Sequence, residues 1–454
     1  MCGFTGSVSV QPIDISLIDE ANKFIECRGP DAKCFIERSY DSYHLNFCFN
    51  RLSILDLSTE ANQPMYSKEF NTMVMFNGEI YNHLELRKDL QNKGLKFYTS
   101  HSDTETLLVG LSYYGIKFVD KLRGQFAIAF FDERKSELSL IRDRLGQKPL
   151  YYFFDNKNIH FGSSLLSLLK IIKEYKIDEN QLYSYLDYGI ISSPFTLFKN
   201  IYKLMPSEIL KVDLQKNNFS ATKLNYWNAE NFLDNKPFSN EEFFDIFSES
   251  VNLRANADVP IANFLSGGID STSIVKNLVD NEKKVNSFSI YIKENKYDES
   301  IYIKEVVKKY NLEHKSTTVS TDISIDEINQ ALNSLDEPYS DPSIVPTYIL
   351  SKEISQYYKV AISGDGGDEL LGGYERTMRS IQKTGFFRNL ISKAYDLYPA
   401  ILGTGNKLLS NSSDLEIKYR SFLEDKKLIK LLNVSSESNT FAEGLDYKNT
   451  NFYK

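Results

Sequence analysis

A cysteine stands at position 2, directly after Met1. With Met1 removed, Cys2 carries a thiol and a free α-amine on one residue. An α-amino group titrates near roughly 7.7–8.0, so around neutrality part of it is unprotonated. It can then serve as the thiol's own base, directly or through a water, for attack on an acyl carbon. A second cluster lies far downstream, where NFLSGGIDSTS (Asn263 to Ser273) sets Ser266, Gly267 and Gly268 between an apolar run and a helical pattern. Backbone amides at a helix N-terminus bind anions, and glycines let phosphate oxygens come close. No Gly-Lys-Ser/Thr follows, so this is not a Walker A loop.

Three motifs follow MCGFTG in order: RLSILDLS (Arg51 to Ser58), NGEIYN (Asn77 to Asn82) and SDTE (Ser102 to Glu105). Arg51 offers a planar fork suited to a carboxylate. Together the motifs resemble the glutaminase domain of class II amidotransferases, a family of N-terminal-nucleophile hydrolases, over roughly the first 200 residues. The resemblance implies that Cys2 attacks the side-chain amide of free glutamine. Arg51, Leu52, Ser53, Ile54 and Leu55 would hold its amino-acid end, and Asp103 would counter its ammonium. Asn77 and the backbone of Gly78 would stabilise the tetrahedral oxyanion, a contribution of several kcal/mol in known cases. Gly78 suits that task because a missing Cβ lets its N–H approach closely. Glu79 would support glutamine placement.

The glycine loop resembles the SGGxDS loop of ATP pyrophosphatases, which cleave between the α and β phosphates. SFSI and YDES (Ser287 to Ile290, Tyr297 to Ser300), LDEPYSDPSIVPT (Leu335 to Thr347) and ISGDGGDELLGGY (Ile362 to Tyr374) follow in order. These resemble the synthetase domain of glutamine-hydrolysing asparagine synthetases. The resemblance implies an ATP site built from Phe264, Ser266, Gly267, Gly268, Asp270, Ser271, Ile290, Ser363 and Gly364. It further implies that Asp270 and Asp368 hold Mg²⁺ against the phosphates.

Two departures stand out. The acidic loop reads SGDGGDE, whereas many asparagine synthetases have SGEGADE. Asp365 occupies the position of the family's Glu, which handles incoming ammonia, and is shorter by one methylene, roughly 1.5 Å of reach. The SGDGGDE form also occurs among relatives that amidate other carboxylates. After Tyr374 the family's further acidic site, late lysine and Pro-Phe-Leu-Asp run are not found, so the second domain reads as incomplete at its C-terminal end. NSSD and SSESN in the tail look like surface loops.

The expected reaction is ATP, aspartate, glutamine and water going to AMP, diphosphate, asparagine and glutamate. A Cys2 thioester and an aspartyl-adenylate would be its intermediates, with Asp365 a catalytic group beside Cys2, Asn77 and Gly78. One alternative is amidation of another carboxylate, such as a uronic acid of a surface polysaccharide or a peptide. Another is a glutaminase with a degenerate synthetase half. A pure binding protein would leave Cys2, Arg51, Asn77 and Asp103 with no reason to occur together.

The elements that must carry these groups can be read from pattern. Tyr43 to Ile54, Thr72 to Phe76, Gly124 to Asp132 and Glu137 to Asp143 are rich in aromatic and β-branched residues and predict strands. Tyr81 to Lys93 and Asp103 to Tyr114 predict helices. Sheets with helices laid against them suggest an α+β domain. The four-layer αββα sandwich is what the resemblance implies. The polar stretch Asp213 to Lys236 predicts a linker, giving domains 2–215 and 237–454. Beyond it the grammar changes. Apolar runs at Ile261 to Leu265, Val285 to Tyr291 and Val360 to Ile362 alternate with helical patterns at Ser271 to Leu278 and Asp298 to Tyr310. That alternation predicts an α/β domain with a parallel, Rossmann-like sheet.

The bulk properties agree. A chain of 454 residues exceeds one ordinary core, and its 42% hydrophobic and 25% charged residues are globular values. The net charge of −8 argues against a nucleic-acid surface. No basic-then-apolar leader opens the sequence and no run nears 18 apolar residues, so neither a signal peptide nor a membrane span is expected. Cys2, Cys27, Cys34 and Cys48 form no CxxC pair, which favours a reducing, cytoplasmic setting. Small-molecule substrates are the expected partners, with a homodimer as the assembly kept open. His314 is left unassigned.

Overall fold

The computed structural model describes residues 2–374 apart from 216–217, 234–238, 293–297 and 320–322. The tail motifs beyond Tyr374, Tyr297 of YDES and parts of the polar stretch Asp213 to Lys236 lie outside the described residues. The described residues form two compact units, one of residues up to 176 and 193–260, the other of 177–192 and 261–374.

The first unit runs β1 (Gly3–Ser9), α1 (Ile15–Lys23), β2 (Ala32–Ser39), β3 (His44–Arg51), β4 (Met65–Ser67), β5 (Thr72–Ile80), α2 (His83–Asn92), α3 (Asp103–Tyr114), β6 (Gly124–Asp132), β7 (Glu137–Arg142), β8 (Tyr151–Phe154), β9 (Asn158–Gly162) and α4 (Leu165–Ile172). After α5 (Glu179–Tyr188), which belongs to the second unit, come β10 (Ile201–Lys203), β11 (Glu208–Asp213), β12 (Ser220–Asn225) and α6 (Asn240–Arg254). Two antiparallel sheets result, in the orders β10-β8-β9-β1-β3-β2 and β12-β11-β7-β6-β5-β4.

Strand period explains the layering. Along β6, Ala127, Ala129 and Phe131 enter the core shared with Phe4, Phe47 and Phe161 of the other sheet. Their neighbours Phe126, Ile128 and Phe130 pack instead with Leu107, Leu108 and Leu111 of α3 and with Leu86 and Leu90 of α2. A strand buried on both faces must be apolar throughout, which is why GQFAIAFFD reads as an unbroken run. On the far side Ile18 and Ala21 of α1 and Ile171 of α4 pack with Cys48 of β3. Helices, sheet, sheet and helices therefore make the four-layer αββα sandwich.

The polar stretch after Asp213 does not leave the sheet at once. Ser220–Asn225 pairs antiparallel with β11, Glu208 opposite Asn225, although every one of its residues is exposed. Backbone pairing and the Lys223–Glu208 ion pair at 3.2 Å, not buried apolar side chains, build this edge strand, so no hydrophobic alternation announces it.

The second unit contains β13 (Ile261–Phe264), α7 (Ile269–Asp280), β14 (Asn286–Ile292), α8 (Ser300–Tyr310), β15 (Glu313–Val319), α9 (Ile325–Asn333), α10 (Ile344–Ser355), β16 (Val360–Ile362) and α11 (Gly367–Leu371). Its sheet is parallel, in the order β15-β14-β13-β16, with β13 flanked on both sides. Ala262 and Phe288 pack against Leu350 and Ile354 of α10. Among the described residues no helix is long and apolar enough to cross a membrane.

Candidate active sites

β1 and β3 lie side by side, with Gly3 opposite Asn50, so the chain leaving β3 passes the residue that opens β1. Leu52 donates its backbone N–H to the Cys2 thiol at 3.3 Å. Burial pushes the Cys2 thiol above its usual value, and the Leu52 bond pulls it back. Arg28 donates from Nε to the Cys2 carbonyl at 3.3 Å.

Arg51 ends β3, buried, and its guanidinium organises the loop that follows. Nη1 donates to Ser58 O at 2.6 Å and to Asn62 Oδ1 at 2.9 Å. Nη2 donates to Leu55 O at 3.3 Å and to Asp56 O. The loop carrying Leu52, Ser53, Ile54 and Leu55 is thus wrapped around one side chain. Asp31 holds it from outside by accepting from Ser53 N at 2.7 Å.

β5 delivers Asn77, Gly78 and Glu79. Asn77 is fully buried, and neither its Nδ2 nor its Oδ1 has a hydrogen-bond partner among the described residues. Two orphaned polar atoms at one buried side chain suit a ligand that brings its own partners. Gly78 opposes Phe126 of β6, and a Cβ there would lie 2.0 Å from Gln125 O and 2.7 Å from Phe126 Cα. The glycine is therefore demanded by the approach of β6. Asp103 begins α3, buried, and accepts from Ile80 N at 3.2 Å. Burial raises the Asp103 carboxyl.

Burial, then the Asp103 charge, push Glu79 up to about 8. Buried Lys148 moves the other way, to about 8, chiefly through loss of water and next through Arg28, while Asp143, Glu79 and the Cys2 thiol pull it back. Cys2, Arg51, Glu79, Asp103 and Lys148 thus share one low-dielectric corner where opposite charges meet. Sequence reasoning missed Arg28, Asp31 and Lys148. The Gly29-Pro30 pair is a turn signal that could have drawn attention to the first two. Indeed a Cβ on Gly29 would sit 2.2 Å from the Asn50 carbonyl carbon. Lys148 carried no comparable signal.

The second unit brings together the other group. Gly267 has φ +81° and backs onto Ile303, where a Cβ would meet the backbone nitrogen at 3.0 Å, so glycine is needed on both counts. Ser266 and Ser271 are linked Oγ to Oγ at 3.0 Å, and Ser271 Oγ accepts from Ser266 N at 3.2 Å, which closes the loop. α7 starts without a side-chain cap at Gly268, leaving its first N–H groups for an anion. Phe264 and Ile290 pack against the apolar cluster under this loop.

Asp270, in the first turn of α7, faces the loop after β16. A Cβ on Gly364 would lie 3.0 Å from Asp270 Cβ, and one on Gly367 would lie 2.4 Å from Asp270 Oδ2. Burial, then the charges of Asp368 and Glu369, raise the Asp270 carboxyl. Facing carboxylates whose ionised forms repel suit a hard cation bound through oxygen. Among the described residues no cluster of three or more His, Cys, Asp or Glu could hold a metal alone. Phosphate oxygens and water would complete the shell.

Ser363 Oγ donates to Asp365 Oδ2 at 2.8 Å, which turns the shortened carboxylate back onto its own loop. His314 is bonded within the sheet, Nδ1 to Ser287 Oγ at 3.0 Å. Cys27, Cys34 and Cys48 are free thiols.

Family models match both halves, one described as glutamine amidotransferase domain over residues 1–227 and one as asparagine synthase over residues 242–440. The chain is 34% identical over 385 residues to the glutamine-hydrolysing asparagine synthetase 1 of Bacillus subtilis, covering 82% of this chain and 59% of that protein. It is 33% identical over 396 residues to a Methanocaldococcus jannaschii protein provisionally named a glutamine-hydrolysing asparagine synthetase, covering 82% of this chain and 76% of the relative. It is 27% identical over 371 residues to amidase chry2 of Gibberella zeae, covering 77% of this chain and 54% of that protein.

Proposed function

We propose, from the premise that the chain belongs to the glutamine-hydrolysing asparagine synthetase family, that it transfers the amide nitrogen of glutamine to the side-chain carboxylate of aspartate at the expense of ATP. The observation that carries this reading is the Leu52 N–H held on the Cys2 thiol at 3.3 Å, in a corner charged by Arg51, Asp103, Glu79 and Lys148.

With Met1 removed, the Cys2 amine takes the thiol proton, directly or through a water, and the thiolate attacks the glutamine amide carbon. Asn77 Nδ2 and the Gly78 N–H receive the oxyanion that forms. Collapse releases ammonia and leaves a Cys2 thioester, which water hydrolyses to glutamate. The substrate ammonium sits against Asp103, with Glu79 beside it. Its carboxylate meets the loop that Arg51 shapes.

At the second site the aspartate carboxylate attacks the α-phosphorus of ATP and diphosphate leaves. Adenylation is needed because a free carboxylate is a poor electrophile, whereas AMP departs readily. Ammonia attacks the acyl-adenylate and asparagine forms. The Ser266-Gly267-Gly268 loop and the start of α7 hold the diphosphate, and Ser363 and Gly364 the adenylate. Asp270 and Asp368 would hold Mg²⁺, which neutralises phosphate charge when bound. The two catalytic halves are assigned to residues 2–215 and 237–454, and the setting to the cytoplasm.

A second acceptor class, another carboxylate such as a uronic acid or a peptide terminus, is favoured by one observation. Asp365 is a methylene short and tied to Ser363. Incubating the chain with glutamine, aspartate and Mg-ATP, and quantifying glutamate, diphosphate and asparagine together, decides between them. Equal amounts of all three support aspartate as acceptor. Glutamate without asparagine rejects it.

A further inference from the structure

The loop that follows Arg51 has a clasp outside the motifs that announce the glutaminase. Asp258 N donates to Ile54 O at 3.0 Å, and Asp258 Oδ2 accepts from Asp56 N at 2.7 Å. One residue therefore brackets Leu55 from both sides through backbone groups. The same Oδ2 meets His101 Nε2 at 2.6 Å. Asp56 itself accepts from Ser100 Oγ at 3.2 Å and from His101 N at 3.4 Å. The residue after Leu55, whose N–H the carboxylate holds, needs holding, since Asp56 has φ +49°, a left-handed conformation that L side chains adopt only at a cost.

We propose that Asp258 is a positioning residue for glutamine, fixing the Leu52–Ser58 loop so that the substrate carboxylate meets a preformed surface. The inference rests on the glutaminase reading of Cys2. An exposed ion pair between His101 and Asp258 would by itself contribute little, each side chain being more than a third exposed. What sets Asp258 apart is that both its main chain and its carboxylate engage the loop's backbone. Loops held in one conformation bind with less ordering cost, so loosening the clasp weakens substrate binding without touching the nucleophile.

The test uses the full chain and glutamine. Asp258→Ala raises the glutamine KM about ten-fold while kcat stays within about two-fold, as loss of ground-state positioning requires. Diphosphate release driven by an ammonium salt is unchanged. Asp258→Asn, whose Oδ1 can still accept from Asp56 N, restores most of the KM. If the alanine variant does not fold, His101→Gln carries the test, with a smaller rise in KM expected. An unchanged KM in a folded variant overturns the proposal, as does a parallel loss of kcat and of the ammonia-driven reaction. A wild-type chain that hydrolyses no glutamine overturns the glutaminase reading along with it. An active wild type with an unaffected Asp258→Ala overturns this inference alone.

Discussion

Leu52 N and Cys2 Sγ are 3.3 Å apart, and this bond, with the one from Cys2 Sγ to Leu52 O at 3.7 Å, joins the candidate nucleophile just ahead of β1 to the loop that leaves β3. Burial raises the thiol's pKa, so the free thiol is held protonated until a base takes its proton. The Leu52 N–H steadies the sulfur.

In the proposed function only one of the two sites needs that thiol. Cys2→Ala abolishes glutamine-driven product and spares ammonia-driven product. Asp270→Asn does the reverse, leaving glutamate formation but no diphosphate. Product assays with glutamine or an ammonium salt check both, and a Cys2→Ala variant dead with ammonia as well would sink the two-site assignment.

Asn77 has both polar atoms buried and unpaired among the described residues. Asn77→Ala is expected to lower the glutaminase kcat by about 10²–10³ with little change in KM, as loss of an oxyanion donor does elsewhere. Steady-state kinetics of glutamate release decide it; a change confined to KM would assign Asn77 to ground-state binding instead.

Gly78 meets backbone, which cannot swing aside: a Cβ would stand 2.0 Å from Gln125 O. Gly78→Ala should therefore destabilise the first unit by about 1–3 kcal/mol or more, by forcing β5 from β6. Denaturant unfolding reads the loss. A full-stability variant would mean that the strands can separate there at no cost.

Glu79 gives the free protein a pH signature. Its carboxyl is pushed up to about 8 from the ordinary 4.5, so between those values the folded chain holds a proton that the unfolded chain has lost. The stability this provides is complete below about 4.5 and disappears as pH rises through about 8. Lys148, lowered to about 8 from 10.5, acts in the opposite sense only above that point. Between about pH 5 and 7 the Glu79 contribution should fall by about 1–3 kcal/mol, and Glu79→Gln should flatten the slope. Chemical denaturation at stepped pH measures it; identical slopes for both proteins would remove Glu79 from the account.

The candidate chemistry is legible in the sequence wherever it is local. Cys2 next to Met1, the Asn77-Gly78-Glu79 run and the Ser-Gly-Gly turn before α7 need only neighbours to be recognised. Gly124–Asp132 was readable because burial on both faces of a strand leaves a nearly continuous apolar trace. Tertiary structure decided what depends on distant segments meeting. The all-exposed strand Ser220–Asn225 exists because β11 offers it a backbone to pair with. Arg51 proved to be engaged largely with the carbonyls of its own loop, since a buried guanidinium must satisfy its donors wherever acceptors lie. Lys148 and Asp258 reach the same neighbourhood from far along the chain. Side-chain period and local propensity record which face a residue presents, but convergence of remote residues is fixed only when the layers pack.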